Sequence, residues 1–162
     1  MEHLPIFLRV QSRPALIVGG GAVAARKAEL LLRCGAELVW VAPQLQGPAR
    51  ELIESSGERL RYLCAAFDPA QLEGMTLVIA ATDSTETNRA VASAARARNI
   101  PVNVVDDYEQ SSFILPAIID RAPVIVAVGT QGSAPVLARR LRELIERHAP
   151  REAPQAPLDP HL

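Results

Sequence analysis

Residues 14–24, PALIVGGGAVA, decide the fold of this chain. The apolar run 14–18 ends directly at three glycines, which is typical of a buried parallel strand entering a tight turn. The turn fits the pattern G-x-G-x-x-A, in which Gly19 permits the turn, Gly21 lets a ligand approach the backbone, and Ala24 lets the helix pack closely. This context predicts the first strand, turn and helix of a dinucleotide-binding domain.

Strand and helix patterns alternate outward from this turn. Further strands are predicted over 37–42, 59–63, 75–81 and 101–105. Helices are predicted over 23–34 and 48–55, and a third, capped by Ser84 or Asp83, runs to about residue 98. The alternation implies right-handed crossovers, so the predicted fold class is α/β, a Rossmann-like doubly wound parallel sheet.

The pattern changes after Asp106. Residues 112–119 and 123–128 are rich in apolar β-formers, and the short polar link 120–122 favours an antiparallel hairpin. A helix is predicted over 134–148, and the proline-rich residues 150–162 are expected to be a disordered tail. We therefore divide the chain into a Rossmann domain (1–110), a hairpin-plus-helix segment (111–149) and a tail (150–162).

The composition is that of a soluble globular protein, with 162 residues, 49% of them apolar, and 17 basic against 18 acidic side chains. Balanced charge argues against nucleic acid or a membrane as partner. The sequence shows neither a signal peptide nor an apolar run near the ~20 residues of a spanning helix, so we expect a cytoplasmic protein. Cys34 and Cys64 are expected to be buried apolar side chains, and no Cys/His cluster predicts a metal site.

A dinucleotide would lie at the carboxyl ends of the strands, with its diphosphate at the first helix N-terminus. The residues predicted to line it are Gly19, Gly21, Ala22, Val23, Ala24, Pro43, Gln44, Ala81, Thr82 and Asp83. The usual ribose-binding acid after the second strand is missing, because Glu37 lies at the other end, which leaves backbone groups or Gln44 for the ribose. No arginine follows that strand to hold a 2′-phosphate, which favours NAD over NADP. The alternative is that the glycines serve chain geometry alone.

Seven motifs follow one another along residues 1–148. They are HLPIF at 3–7, IVGGGAVAARK at 17–27, AATD at 80–83, NVVD at 103–106, SFILP at 112–116, IDR at 119–121 and PVLAR at 135–139. The ordered set resembles the N-terminal domain of the siroheme synthase family. The resemblance implies a precorrin-2 dehydrogenase, often also a sirohydrochlorin ferrochelatase, built from an NAD-binding Rossmann domain and a dimerisation segment.

The implied reaction in siroheme biosynthesis oxidises precorrin-2 to sirohydrochlorin by hydride transfer to NAD. The family assigns the aspartate of the NVVD motif, here Asp106, as the general base, and the same carboxylate would accept pyrrole protons if Fe2+ is inserted. The alternative is that Asp106 and Asp107 only cap or solvate a loop. The family's further helical region would begin where this sequence stops, which leaves the ferrochelatase (lyase) activity open.

Such a tetrapyrrole carries many carboxylates, which helix N-termini and arginines bind. The candidates are Ser112, Thr130, Ser133 and Arg139, with solvation of the helix face as the alternative for the arginine. The apolar hairpin is expected to pair with a second subunit in a homodimer rather than pack on its own sheet. Two other functions stay open: a non-catalytic dinucleotide-sensing regulatory module, and a truncated domain that dimerises without turnover.

Overall fold

The computed structural model describes residues 2–130 and 134–148. Contacts divide the chain into two compact units, residues 3–113 and the part from residue 114 onward. The sequence pattern predicts this division at residue 110, three residues earlier. The loop up to Phe113 stays with the first unit because its backbone binds that of Val102, with Ser112 N donating to Val102 O at 2.7 Å.

The first unit is a five-stranded parallel sheet in the order β3-β2-β1-β4-β5. The strands are β1 (Pro14–Val18), β2 (Glu37–Val41), β3 (Leu60–Leu63), β4 (Leu77–Ala80) and β5 (Val102–Val104). The helices are α1 (Ala22–Arg33), α2 (Gly47–Ser56) and α3 (Thr85–Arg96). This strand order is that of a doubly wound dinucleotide-binding sheet, so the predicted α/β fold is confirmed.

The central strands β1 and β4 are apolar on both faces. All four residues of β4 are buried, as are all residues of β1 except Pro14. Strands covered on both sides read as continuous apolar runs, which is why these two were recognisable in the sequence. One buried core joins them to neighbouring strands and α3, and it contains Leu16, Val18, Val41, Leu72, Val78, Ala80, Val91, Ala92, Ala95, Val102 and Val104.

Local signals set the helix ends. Gly35, with φ +79°, follows α1, and its N–H donates to Leu32 O at 3.0 Å while Ala36 N donates to Leu31 O at 3.0 Å. This is the glycine-terminated helix end that the sequence predicts. At the start of α3, Thr87 N donates to Ser84 Oγ at 3.1 Å, which confirms Ser84 as the cap.

The second unit contains an antiparallel hairpin and a helix. The strands are β6 (Ala117–Arg121) and β7 (Val124–Val128), and the helix is α4 (Pro135–His148). The hairpin prediction is confirmed, but two of its details are wrong. The first strand begins at Ala117 rather than residue 112, because Ser112 and Phe113 bind β5 instead. The link 120–122 is also wrong, since Arg121 pairs with Val124 and leaves Ala122 and Pro123 as the turn.

The prediction of buried cysteines is wrong. Cys34 and Cys64 are both exposed. Cys34 lies at the C-cap of α1, outside its apolar stripe, and Cys64 follows the end of the edge strand β3. Within the described residues no helix is long and apolar enough to cross a membrane, and no group of three metal-ligating side chains is found. The predicted tail 150–162 lies outside those residues.

Candidate dinucleotide-binding site

The first two glycines of the turn are required by close contacts within the chain. Gly19 has φ +128°, and a Cβ built on it would lie 2.1 Å from Ala81 O. A Cβ on Gly20 would lie 1.8 Å from Gln44 O, in the loop after β2. The pattern G-x-G-x-x-A leaves position 20 open to any residue, so in the sequence only the run of three consecutive glycines indicates this contact. The turn therefore packs against the loops that follow both neighbouring strands.

Gly21 differs from its two neighbours. Its backbone is extended, with φ −88° and ψ 179°, a conformation open to any residue. The nearest atom to a Cβ built there is Gln46 Oε1, at 3.7 Å. The fold therefore does not need a glycine at position 21, and the missing side chain leaves an opening in front of the backbone. Such an opening suits a ligand that must touch the main chain.

Each carbonyl of the glycine turn already has a donor. Gly19 O accepts from Trp40 Nε1 at 2.6 Å, Gly20 O from Gln46 N at 2.8 Å, and Gly21 O from Ala25 N at 3.1 Å. By contrast, the peptide N–H groups of residues 20–24 have no acceptor in the part of the chain that the structure describes. Consecutive unpaired N–H groups at a helix N-terminus form a site for an anion such as a diphosphate.

The loop after β2 lies on one side of the glycine turn, where Gln44 O approaches Gly20. Pro43 and Gln44 are exposed there, while Glu37 lies at the opposite end of the strand, as predicted. The end of β3 holds this loop in place, since Tyr62 Oη donates to Ala42 O at 2.9 Å and Cys64 Sγ to Pro43 O at 3.4 Å. The sequence carried no signal for these two contacts.

The loop after β4 lies on the other side of the glycine turn, where Ala81 O approaches Gly19. Ala81 N donates to Val18 O at 2.8 Å, which joins this loop to the end of β1. Thr82 is held by Asn88 of α3, with Thr82 Oγ1 donating to Asn88 Oδ1 at 2.7 Å and Asn88 Nδ2 to Thr82 O at 3.0 Å. Asp83 is exposed. The structure thus brings the predicted cofactor residues of three loops to one edge of the sheet.

Asp106 lies just beyond β5 at the same edge. It has φ +60° and is exposed, and its carboxylate makes no hydrogen bond within residues 2–130 and 134–148. Its neighbour Asp107 differs, because Asp107 Oδ1 accepts from Gln110 N at 3.1 Å. Among the described residues, therefore, only Asp107 of the two aspartates caps the loop. The Asp106 carboxylate has no hydrogen-bond partner there and can accept a proton.

Lys27 of α1 was not singled out by sequence reasoning. Burial and the neighbouring Arg26 guanidinium lower the pKa of this half-buried ammonium below its ordinary value, and the negative charge of Asp106 acts in the opposite direction. The carboxylate of Asp106 is therefore within electrostatic reach of the helix that begins at the glycine turn.

Two serines tie the loop after Asp106 to the sheet edge. Ser111 Oγ accepts from Val104 N at 2.9 Å, and Ser112 Oγ accepts from Val102 N at 2.8 Å. Both hydroxyls thus serve the edge of β5, and this includes Ser112, which we predicted to bind substrate. The other predicted substrate residues remain predictions: Thr130 and the exposed Arg139 belong to the second unit, and Ser133 lies outside the described residues.

A model of an NAD(P)-binding family, NAD_binding_7, matches residues 6–117. The chain belongs to this NAD(P)-binding family. Membership agrees with the unpaired N–H groups at the glycine turn and confirms the predicted cofactor class.

Siroheme synthases are similar to this chain along most of its length. Siroheme synthases from Methylobacillus flagellatus and Chromobacterium violaceum are each 54% identical to this chain, over 151 and 150 residues respectively. Each alignment covers 93% of this chain and 32% of the relative, so the chain spans about a third of the length of these curated relatives. The resemblance of the seven motifs to siroheme synthases is confirmed.

A solved structure described as SirC, precorrin-2 dehydrogenase, has the same fold. The TM-score is 0.75 at 24% sequence identity, and the match covers 92% of this chain and 72% of that one. The likeness includes the sheet and extends beyond it, and it confirms the architecture deduced from the strand pattern.

Proposed function

We propose that this chain binds NAD and oxidises precorrin-2 to sirohydrochlorin. The observation that carries the proposal is the set of N–H groups at residues 20–24 that have no acceptor among the described residues. The Asp106 carboxylate, which also has no hydrogen-bond partner among those residues, lies at the same edge of the sheet. The names of the siroheme synthase relatives and of the SirC structure support the substrate class.

The residues of the site fit a dinucleotide. The opening at Gly21, which a Cβ would fill, leaves room for a diphosphate against the N–H groups of α1. NAD, when bound, accepts a hydride from the substrate carbon. Removal of a hydride and a proton completes a two-electron oxidation, in which the Asp106 carboxylate would accept the proton. The loops after β2 and β4 would hold the cofactor between them.

The direct test is an assay of the purified chain with precorrin-2 and NAD. We expect NADH and sirohydrochlorin to appear together and in equal amounts. NADP should support a lower rate, because no basic side chain directly follows β2 to hold a 2′-phosphate. Binding of NAD without formation of NADH would contradict the proposal and favour the regulatory module, which needs the same glycine turn but no base.

Insertion of Fe2+ into sirohydrochlorin is a second candidate activity, favoured by the same unbonded carboxylate. The iron is a substrate here, and the tetrapyrrole nitrogens would ligate it, while Asp106 would take up the pyrrole protons. Metal insertion measured without NAD tests this activity separately from the oxidation. Absence of insertion by a chain that oxidises precorrin-2 would reject it.

We also propose that the second unit forms a homodimer interface. Several of its large apolar side chains are exposed, with Val124 at 50%, Val136 at 65% and Leu144 at 53%. Several exposed large apolar side chains in one small unit favour a protein contact, since a two-stranded ribbon has little core of its own.

A charge introduced into the exposed apolar surface of the second unit is expected to separate the subunits. Ile125→Glu places a carboxylate on the exposed face of β7, and light scattering should then show monomers where the parent chain shows dimers. The control is Ala90→Glu, which introduces the same charge at an exposed position of α3 in the first unit and should leave the dimer intact. A monomeric parent chain would contradict the proposal.

A further inference from the structure

Trp40 is a fully buried side chain that touches the glycine turn. It lies in β2, and its indole Nε1 donates to Gly19 O at 2.6 Å, across 21 residues of sequence. Indole has one donor and no acceptor, so this bond uses its whole hydrogen-bonding capacity. Because the bond is buried, water does not compete for the carbonyl.

The direction of this bond fixes the direction of the next N–H. A trans peptide is planar, so the C=O of Gly19 and the N–H of Gly20 point to opposite sides. The indole holds the Gly19 carbonyl towards the core, which turns the Gly20 N–H away from it. That N–H is one of the groups without an acceptor in the described residues.

The turn depends on such a restraint because glycine backbones adopt many conformations. The carbonyls of Gly20 and Gly21 are held by backbone N–H groups, from Gln46 and Ala25. Gly19 O is instead held by a side chain, so its orientation depends on which residue occupies position 40.

We propose that Trp40 is a positioning residue for the cofactor: its indole orients the peptide between Gly19 and Gly20 so that the Gly20 N–H faces the diphosphate. This role rests on the proposed binding of NAD. It gives the buried tryptophan a part in cofactor affinity in addition to its part in the core.

The test removes the donor and keeps the ring. In Trp40→Phe the carbonyl loses its partner. Because Trp40 is the only tryptophan, biosynthetic replacement by the benzothiophene analogue removes the N–H with almost no change of shape. We expect the Kd of NAD and of ADP-ribose, which share the diphosphate, to rise about tenfold by calorimetry, since one hydrogen bond to a charged group is lost. Adenosine, which lacks the diphosphate, should bind unchanged.

The matched control is Leu38→Val, a buried truncation in the same strand away from the turn. It should lower the melting temperature and leave the Kd of NAD unchanged. Unchanged affinity in the benzothiophene protein, or an equal loss of affinity in Leu38→Val, would overturn the positioning role while leaving the proposed function intact. A parent chain that binds no NAD would instead refute the proposed function, and the role of Trp40 with it. If Trp40→Phe does not fold, the benzothiophene protein decides.

Discussion

Gly19→Ala is expected to lower the stability of the fold, whereas Gly21→Ala is expected to weaken NAD binding with little change in stability. At Gly19 a Cβ would meet the backbone oxygen of Ala81 at 2.1 Å, and the positive φ of +128° is itself unfavourable for alanine. Ala81 cannot move aside easily, because its N–H is bonded to Val18 O in the sheet. Gly19→Ala should therefore lose about 3 kcal/mol or more of unfolding free energy, measured by urea denaturation.

Gly21→Ala should keep its stability within about 0.5 kcal/mol, because position 21 is extended and its nearest neighbour is a flexible side chain. Its methyl group would stand where the diphosphate meets the backbone. We expect the Kd of NAD to rise about tenfold or more, which corresponds to about 1.4 kcal/mol of binding free energy.

Gly74→Ala provides the control for both substitutions. Gly74 has φ +73° with open space around it, so its replacement isolates the backbone penalty from any clash or loss of cofactor. It should destabilise less than Gly19→Ala and leave the affinity for NAD unchanged. A folded Gly21→Ala protein that binds NAD as tightly as the parent would show that the diphosphate does not lie at this turn.

Asp106→Asn is expected to lower the rate of precorrin-2 oxidation about 100-fold or more, since positioned general bases contribute factors of that order. Asparagine tolerates the positive φ of +60°, so the backbone should be preserved. The Kd of NAD should change less than about twofold, since the carboxylate contacts no group at the glycine turn. Steady-state kinetics and calorimetry measure the two effects separately.

Asp107→Asn is the matched control, because Asp107 lies next in the chain and its carboxylate caps Gln110 N instead of standing unbonded. It should keep most of the rate. The reverse result, with Asp106→Asn active and Asp107→Asn inactive, would move the base to the neighbouring residue. Loss of iron insertion along with oxidation in Asp106→Asn would indicate that one carboxylate serves both reactions.

The parts of the fold that the sequence predicts are those decided locally. The strand at 14–18, the glycine turn and the helix end at Gly35 each depend on a few adjacent residues, and all three are confirmed. The start of the hairpin depends on contacts between distant residues. Residues 112–119 have the composition of a strand, but Ser112 binds the backbone of Val102 and the hairpin strand begins only at Ala117.

In the site, too, local signals are visible in the sequence, whereas contacts between distant residues are not. The pattern G-x-G-x-x-A indicates why positions 19 and 21 are glycine, but the need for Gly20 arises from the approach of Gln44, which periodicity does not reveal. Trp40 is recognisable as a buried strand residue from its apolar neighbours. Its bond to Gly19 is not, because that bond requires the parallel pairing of β1 with β2.

The proposed function depends on one binding mode, in which a dinucleotide diphosphate binds the N–H groups of the glycine turn. Titration of the isotopically labelled chain with NAD, followed through its backbone amide NMR signals, tests it most directly. We expect the largest shifts at Gly20, Gly21 and Ala22, and ADP-ribose should reproduce them. Saturable binding that leaves these three amides unmoved and shifts residues elsewhere would contradict it.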